Sequence, residues 1–361
     1  MSHTAASLGE ALEPIRVGVA GATGYVGMEL IRLLLLHPAF ELVMAGSQSY
    51  AGQSLSEYNP ALTGQTDLVL TAAGPEEFAA NCDLVITALP HGVSSAWVSK
   101  MHGRGIVLLD HSGDFRFKDL ALYEKTYKLT HPCPELLEQA VYGWPEQYRD
   151  ELKTADLIAN PGCYPTCSLT PLVPLLEAGL IEEDSIIIDA YSGTSGAGRS
   201  SDPLFSFSEM AENLKPYGVT GHRHQAEIRE QLLRLSGNHT QVIFTPHLAP
   251  IRRGMLASMY VRPKPGIELS QAELTTLLQD YYKEDCFVRV LSGKQLPQTR
   301  PLIGTNHVDI AAVLDQETGC VKLFSALDNL GKGAAAQAIQ ALNCRYGFPE
   351  DTGLTMLPQF I

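Results

Sequence analysis

The hydrophobic pattern before residue 163 predicts short buried strands that alternate with amphipathic helices. An apolar run at 15–20 predicts the first strand, and residues 25–36 predict a helix that His37 and Pro38 end. Residues 40–45 predict the second strand, which completes a β-α-β unit. Further strands of this α/β part are predicted at 83–89, 106–110 and 157–159.

After residue 163 the predicted strands become longer, and apolar and polar positions alternate along them. The strands are predicted at 185–191, 241–245, 256–262, 308–313 and 321–326, and the main helices at 226–235 and 270–282. This pattern predicts an α+β domain with a mixed or antiparallel sheet and helices on one face. A final helix at 333–346, rich in small residues, is expected to return to the first domain.

A glycine-rich turn separates the first strand from the first helix, with glycines at a G-x-x-G-x-x-G spacing. In this context such glycines let the backbone approach a pyrophosphate at the start of the helix, although a turn made only for tight packing is the alternative. No Asp or Glu follows the second strand, which favours NADP(H) over NAD(H). The expected cofactor-binding residues here are Gly21, Ala22, Thr23, Gly24, Tyr25, Val26, Gly27 and Ser47.

Cys163 follows a Pro-Gly turn between the strand at 157–159 and a helix that the pattern starts near Thr166. A helix N-terminus favours thiolate over thiol, so Cys163 is the candidate nucleophile. The alternative is the usual role of cysteine as a small buried residue. Cys167 lies one helical turn further on, but no second Cys/His cluster has ligand spacing. We therefore expect no metal site.

Three later polar segments carry candidate chemistry, each with a solvated loop as the alternative. The first segment, residues 192–199, follows a strand and is expected to wrap phosphate or nicotinamide with backbone N–H groups. The expected cofactor-binding residues in it are Ser195, Gly196, Ala197 and Gly198. His222 and His224 flank Arg223 before a predicted helix, and one of them is expected to act as general acid and base. The third segment, residues 245–254, adds His247 and two more cations, Arg252 and Arg253.

Composition limits the function classes. The 361 residues favour two domains, and 26 Lys and Arg against 40 Asp and Glu give a net charge of −14. That charge argues against binding to nucleic acid or an anionic membrane, but local arginines can still hold an anionic substrate. The seven cysteines have no framework spacing, which favours a reducing compartment. The sequence also shows no signal-peptide pattern and no apolar run of membrane length, so we expect the protein in the cytoplasm.

Taken together, the motifs resemble those of the N-acetyl-γ-glutamyl-phosphate reductases of arginine biosynthesis over nearly the whole chain after its first residues. They are the segments 21–27, 89–92, 114–116, 141–146, 160–166, 195–199, 222–224 and 328–335. Ala336, where Gly is usual, and Trp144, where an aliphatic residue is more common, depart from the family pattern. The resemblance implies a fold like glyceraldehyde-3-phosphate and aspartate-semialdehyde dehydrogenases, with a Rossmann domain at 1–162 and 331–361 and an inserted catalytic and dimerisation domain at 163–330.

The resemblance also implies NADPH-dependent reduction of N-acetylglutamyl 5-phosphate through a thioester on Cys163, with His224 as acid and base and His222 in reserve. It implies substrate contacts from Arg116, Arg223, Glu227 and Arg253, and cofactor contacts from Leu89, Pro90, Gly92 and Asn329. A homodimer or homotetramer is expected by analogy. Two alternatives stay open: a reductase of a carrier-bound aminoadipyl phosphate in lysine biosynthesis, and a regulatory protein that senses NADP(H) without turnover.

Overall fold

The structure is a computed structural model that describes residues 13–199 and 203–358. The outermost ends of the first predicted domain, and the N-terminal segment in which no signal peptide was expected, lie outside these residues. Within them the chain forms a six-stranded sheet and a seven-stranded sheet. The strands of the first sheet all lie within residues 15–159, and those of the second sheet within residues 186–327. Each sheet is therefore built from its own part of the chain, as the change of hydrophobic pattern predicts.

The first sheet is wholly parallel, in the order β2-β1-β3-β4-β6-β5. Its strands are β1 (Ile15–Ala20), β2 (Phe40–Gly46), β3 (Leu84–Thr87), β4 (Val107–Asp110), β5 (Val141–Tyr142) and β6 (Leu157–Ala159). Its helices are α1 (Tyr25–Leu34), α2 (Leu55–Tyr58), α3 (Pro75–Asn81), α4 (Val93–Met101), α5 (Leu120–Tyr127) and α6 (Pro145–Leu152). Strands β3 and β4 are buried along their whole length, as expected for parallel strands covered on both faces.

The second sheet is mixed, in the order β11-β12-β13-β10-β7-β9-β8. Its strands are β7 (Ile186–Ser192), β8 (Lys215–Pro216), β9 (Val242–Leu248), β10 (Met255–Val261), β11 (Val288–Val290), β12 (Val308–Leu314) and β13 (Val321–Leu327). The helices of this part are α7 (Cys163–Glu177), α8 (Phe207–Met210), α9 (Arg223–Ser236) and α10 (Gln271–Tyr281). Buried and less buried residues alternate along β7, β9 and β10, because α7, α9 and α10 cover one face of the sheet.

The last helix returns to the first sheet, as its small residues predict. A π-helical turn, Gly331–Ala335, precedes α11 (Ala336–Tyr346). The buried side of α11 shares a core with Val17, Leu30 and other residues of the first sheet and α1. Short 3₁₀ turns connect other elements at Pro60–Leu62, Pro134–Leu136, Thr194–Ala197, Pro203–Phe205 and Arg300–Leu302.

Two helix starts differ from the prediction, and both differences concern the candidate site. α7 begins at Cys163 itself rather than near Thr166, because Pro165 occupies the first turn, where no backbone N–H is needed. α9 begins at Arg223 rather than at residue 226, because the His222 side chain caps it. The first turns of both helices therefore carry candidate site residues.

The parallel sheet explains how distant segments meet. The chain leaves β1 toward β2 on one side and reaches β3 on the other, so the crevice at the strand C-termini opens next to β1. Gly21 follows β1, Leu89 lies just beyond β3, His111 follows β4 and Asn160 follows β6. Cys163 comes three residues after Asn160, at the same edge of the sheet.

Candidate active site

Two cavities meet at Cys163, the first residue of α7. One, of about 410 Å³, lies toward the second sheet and is lined by Tyr164, Tyr217 and Leu248 among others. The other, of about 270 Å³, runs toward the glycine-rich turn and is lined by Val26, Leu89, Arg116, Ser195 and Asn329 among others. Residues shared by both cavities are Cys163, Gly196, Ala197, Arg223 and His224. The thiol therefore lies where a ligand in either cavity would reach it.

The half-buried thiol of Cys163 is protonated at neutral pH in the free protein. Burial raises its pKa to about 11, although Arg116 and the N–H of Tyr164 act in the opposite direction. The helix N-terminus thus acts in the expected direction, but in the free protein its effect is outweighed by burial. Ionisation of the sulfur needs a group that accepts its proton.

His224 lies next to Cys163 in the state required of a proton acceptor. A Cβ atom added at Gly162 would lie 2.6 Å from His224 Nε2 and 3.0 Å from Arg116 Nη1, so both side chains face this glycine. Burial and the neighbouring His222 and Arg223 lower the pKa of His224 well below its usual value. Its imidazole is therefore neutral at pH 7 and able to take a proton.

His222 has a different task. Its Nδ1 accepts a hydrogen bond from the backbone N–H of His224 at 3.1 Å and so caps α9. Its ring packs edge-on against Tyr164 and Tyr217. Burial, followed by the charge of Arg223, lowers the pKa of His222 to about 4. The ring nitrogen that accepts the cap bond is not free for proton transfer.

Arg116 and Glu227 form a buried ion pair behind the thiol, with 3.1 Å between Nη1 and Oε2 and side chains that are 7% and 1% exposed. Arg116 also donates to the carbonyls of Asn160 and His111. Three donated hydrogen bonds fix the guanidinium, and five N–H groups are available, so two still point away from these partners. Arg116 lines the smaller cavity and offers positive charge there.

The glycine turn fits a dinucleotide. Gly21 has a φ of +87°, and a Cβ there would lie 2.3 Å from the Ala88 carbonyl oxygen. A Cβ at Gly27 would lie 2.3 Å from the Gly21 oxygen, so the helix packs directly on the turn. No side chain of a described residue caps α1, which leaves its first N–H groups for a pyrophosphate. Thr23 Oγ1 lies 3.0 Å from Ser47 Oγ at the end of β2.

Comparison with known proteins identifies the family. Residues 16–155 match the family described as semialdehyde dehydrogenase, NAD binding domain, and residues 163–329 match semialdehyde dehydrogenase, dimerisation domain. The N-acetyl-gamma-glutamyl-phosphate reductase of Acetivibrio thermocellus is 45% identical over 339 residues, 94% of this chain and 97% of that protein. The one from Desulforudis audaxviator is 49% identical over 340 residues, 94% of this chain and 98% of that protein. The chain belongs to the N-acetyl-gamma-glutamyl-phosphate reductase family.

Solved structures confirm the predicted fold class for this reductase-family chain. Aspartate semialdehyde dehydrogenase II from Vibrio cholerae superimposes with a TM-score of 0.69 at 18% identity, covering 92% of this chain and 98% of that one. Aspartate semialdehyde dehydrogenase with NADP from Candida albicans gives 0.68 at 19% identity, covering 92% and 100%. The protein is an oxidoreductase with a nicotinamide-dinucleotide-binding domain.

Two predicted substrate contacts of this reductase are engaged elsewhere. Arg253 donates to Glu29 of α1 and to Asp328, and it lines neither cavity at Cys163. Glu227 is almost fully buried and accepts from Tyr142 and Gly162 as well as Arg116. We therefore withdraw Arg253 as a substrate ligand and treat Glu227 as a residue that positions others.

The remaining predicted residues lie around the cavities. Arg223 is exposed on the cavity wall, and its side chain makes no hydrogen bond or ion pair to the residues that the structure describes. Asn329 donates to Ser195 Oγ and accepts from the Gly254 N–H, which holds the start of the 195–198 loop. Pro90 and Gly92 lie in the turn before α4, where the Gly92 N–H donates to Asp114, and neither residue lines either of the two cavities at Cys163.

The sequence pattern missed two residues beside the thiol. A Cβ at Gly333 in the π-helical turn would lie 2.8 Å from Cys163 Cβ, so only glycine leaves room for the cysteine. The sequence feature that could have identified Gly333 is a glycine within a helical pattern. The buried His111 Nε2, on the wall of the smaller cavity, has no partner among the described residues. The sequence feature that could have identified His111 is a polar residue directly after a parallel strand.

Within residues 13–199 and 203–358 there is no group of three or more His, Cys, Asp or Glu residues that could hold a metal ion. In the same part of the chain no helix is long and apolar enough to cross a membrane.

Proposed function

We propose that this enzyme converts N-acetyl-L-glutamyl 5-phosphate to N-acetyl-L-glutamate 5-semialdehyde and phosphate, with NADP(H) as the cofactor and Cys163 as the nucleophile. The observation that carries the proposal is the position of Cys163 at the start of α7, where two cavities meet beside His224 and Arg116. The relatives' shared name supports the substrate.

The first half of the reaction is acyl transfer. The Cys163 thiol gives its proton to His224 Nε2, and the sulfur attacks the acyl carbon. N–H groups in the first turn of α7 stabilise the oxyanion, since that turn has no side-chain cap among the described residues. The C–O bond to phosphate breaks, His224 returns the proton to the departing phosphate, and the Arg116 guanidinium balances its charge. The product on the enzyme is a thioester.

The second half is reduction. A nicotinamide dinucleotide held along the smaller cavity would supply the hydride that brings the thioester carbon to the aldehyde level. His224 takes a proton from solvent and gives it to the sulfur as the C–S bond breaks, which regenerates the Cys163 thiol. The residues of the glycine turn, Leu89, Ser195 and Asn329 would hold the dinucleotide along the smaller cavity.

The second sheet supports a homodimer. Ile187 of β7 and Ile243 of β9 are opposite each other in the register and are 39% and 62% exposed on the face that the helices leave uncovered. The matched family is described as a dimerisation domain. We propose that a second copy of the chain covers this face. Gel filtration of Ile243→Asp should then show a monomer where the unaltered protein elutes as a dimer.

The decisive assay runs the reaction in reverse, with the free semialdehyde, phosphate and NADP⁺. The unaltered enzyme should reduce NADP⁺ only when phosphate is present. Cys163→Ser should abolish this turnover and retain dinucleotide binding, while Cys286→Ser, at an exposed cysteine, should leave the rate unchanged. Substantial turnover by Cys163→Ser would refute the covalent role. If the enzyme turned over a carrier-bound analogue but not the free semialdehyde, the lysine-pathway alternative would be favoured.

A further inference from the structure

The adenosine end of the cofactor site has no cation of its own. The sequence between Arg32 and Lys100 contains neither Lys nor Arg, although it forms β2, the loop after it and the first turn after β3. The expected position of the adenosine ribose is the end of β2, where Ser47 occupies the place of an acidic residue. A 2′-phosphate at this position would need positive charge from elsewhere in the chain.

Arg199 reaches this position from the second domain. It lies at the end of the loop that begins at Ser195, and its Nη1 is 3.4 Å from the Thr23 carbonyl oxygen in the glycine turn. The guanidinium carbon lies 5.3 Å from the ring centre of Tyr58 and 6.0 Å from that of Tyr50. These contacts direct an exposed guanidinium across the cleft to the cofactor turn.

The neighbouring groups are suited to phosphate oxygens. The Tyr58 hydroxyl donates to the same Thr23 oxygen at 2.7 Å, so this ring is fixed against the turn. The hydroxyls of Thr23 and Ser47 lie 3.0 Å apart and can donate to an anion. Arg199 uses one N–H for Thr23, and no carboxylate among the described residues pairs with it. Its remaining N–H groups form the planar fork that matches phosphate.

We propose that Arg199, delivered across the cleft from the catalytic domain, binds the 2′-phosphate of NADP(H) and sets the preference of the enzyme for it. This inference rests on the proposed use of NADP(H). It has a structural consequence for the chemistry, because residues 195–198 line the smaller cavity at Cys163, and Gly196 and Ala197 line both cavities. A phosphate that holds Arg199 also holds the end of this loop beside the thiol.

The test is direct binding, measured by calorimetry with adenosine 2′,5′-bisphosphate and 5′-AMP, which differ only in the 2′-phosphate. Arg199→Gln should weaken the bisphosphate about 10- to 100-fold, the range for a hydrogen bond to a charged group, and leave 5′-AMP unchanged. Arg199→Lys should restore part of the loss because the charge remains. Arg252→Gln is the control, since Arg252 is an exposed loop arginine outside the two cavities at Cys163. In turnover, Arg199→Gln should lower kcat/KM for NADPH and not for NADH.

Two results would overturn the proposal: equal weakening of both nucleotides, which would mean that Arg199 only supports the turn, or unchanged binding of both. An unaltered enzyme that does not distinguish the two nucleotides would refute both the NADP(H) preference and the role of Arg199. An enzyme that distinguishes them but does not reduce NADP⁺ with semialdehyde and phosphate would refute the proposed reaction and leave the role of Arg199 supported.

Discussion

Glu227 Oε1 accepts a hydrogen bond of 2.8 Å from the backbone N–H of Gly162, the residue that precedes Cys163. The same carboxylate pairs with Arg116 through its other oxygen and accepts from the Tyr142 hydroxyl. Glu227 belongs to α9, as does His224, so one helix orients the start of α7, the cation and the imidazole. The relative placement of Cys163 and its partners therefore depends on a carboxylate that reaches neither cavity.

Glu227→Gln tests this dependence. The amide oxygen can still accept from Gly162, but the charge that balances the buried Arg116 is lost. We expect a loss of about 3 kcal/mol in the free energy of unfolding, at the lower end for breaking a buried ion pair. kcat should fall at least about tenfold while nucleotide binding is kept, because a shifted Arg116 misplaces the phosphate. Glu209→Gln, at an exposed residue of α8, is the control. Normal kcat in Glu227→Gln would show that the pair is structural only.

Asparagine substituted for each of the two histidines in turn should give different losses of kcat. His224→Asn removes the proposed acid and base and should lower kcat by roughly 10²–10⁴. His222→Asn should cost less than about tenfold, because asparagine is itself a good N-cap and can accept the same backbone N–H. Steady-state kinetics in the reverse direction, with circular dichroism to verify α9, is the measurement. A larger loss for His222→Asn would transfer the acid–base role to His222.

Sequence patterns predicted five of the six strands of the first sheet to within two or three residues, because buried parallel strands are continuous apolar runs with glycine or proline beyond them. Short elements such as β5 and β8 were missed, since two residues carry no periodicity. The start of α7 was predicted near Thr166, three residues too late, because no local pattern shows that Cys163 and Pro165 already belong to the first turn.

The candidate site was predictable where the motif itself positions a residue, and not where tertiary contacts do. Cys163 follows from its turn, and the glycines from their spacing. The engagement of Arg253 with Glu29 and Asp328 could not be predicted, because these residues lie far apart in the sequence. The raised pKa of Cys163 likewise depends on burial, which no local pattern reports. The cap formed by His222 joins residues only two positions apart in the sequence, but the pattern did not predict it because histidine is not among the common capping residues.

The raised pKa of Cys163 predicts how its alkylation depends on pH. With a thiol pKa of about 11 the thiolate fraction in the free enzyme should rise almost tenfold per pH unit between about pH 7 and pH 10. Iodoacetamide labelling, followed by mass spectrometry of the peptide that contains Cys163, should show this slope. Cys167 is fully buried and should remain unlabelled. A plateau already at pH 7 would mean that the thiolate is preformed in the free enzyme.

A second buried ion pair supports the other side of the cysteine. Lys332 Nζ lies 2.5 Å from Glu146 Oε1 and 2.6 Å from Gln340 Oε1, and both charged side chains are at most 1% exposed. Lys332 belongs to the π-helical turn, and its neighbour Gly333 packs against Cys163. Burial opposes the ionisation of Glu146, but Lys332 and Gln340 outweigh it and hold its pKa below the usual value.

Lys332→Met should therefore cost about 3–5 kcal/mol in the free energy of unfolding near neutral pH, because it leaves Glu146 charged and unpaired in the interior. Without Lys332, burial raises the folded-state pKa of Glu146 above its unfolded value near 4.5. Protonation in the folded state is then favoured at low pH. The destabilisation should consequently grow as pH rises from the unfolded-state pKa of Glu146 to its raised folded-state pKa, and it should be smaller at pH 5 than at pH 8. Urea unfolding at both pH values measures the difference.

The double variant Lys332→Met with Glu146→Gln distinguishes a lost charge balance from a lost shape. It carries no buried charge at either position, so it should recover most of the stability at pH 8 and lose the pH dependence. Because the π-helical turn backs directly onto Cys163, turnover should follow stability in the single variant and return in the double one. If the double variant is as unstable as the single one, packing by the Lys332 side chain, and not its charge, holds the turn in place.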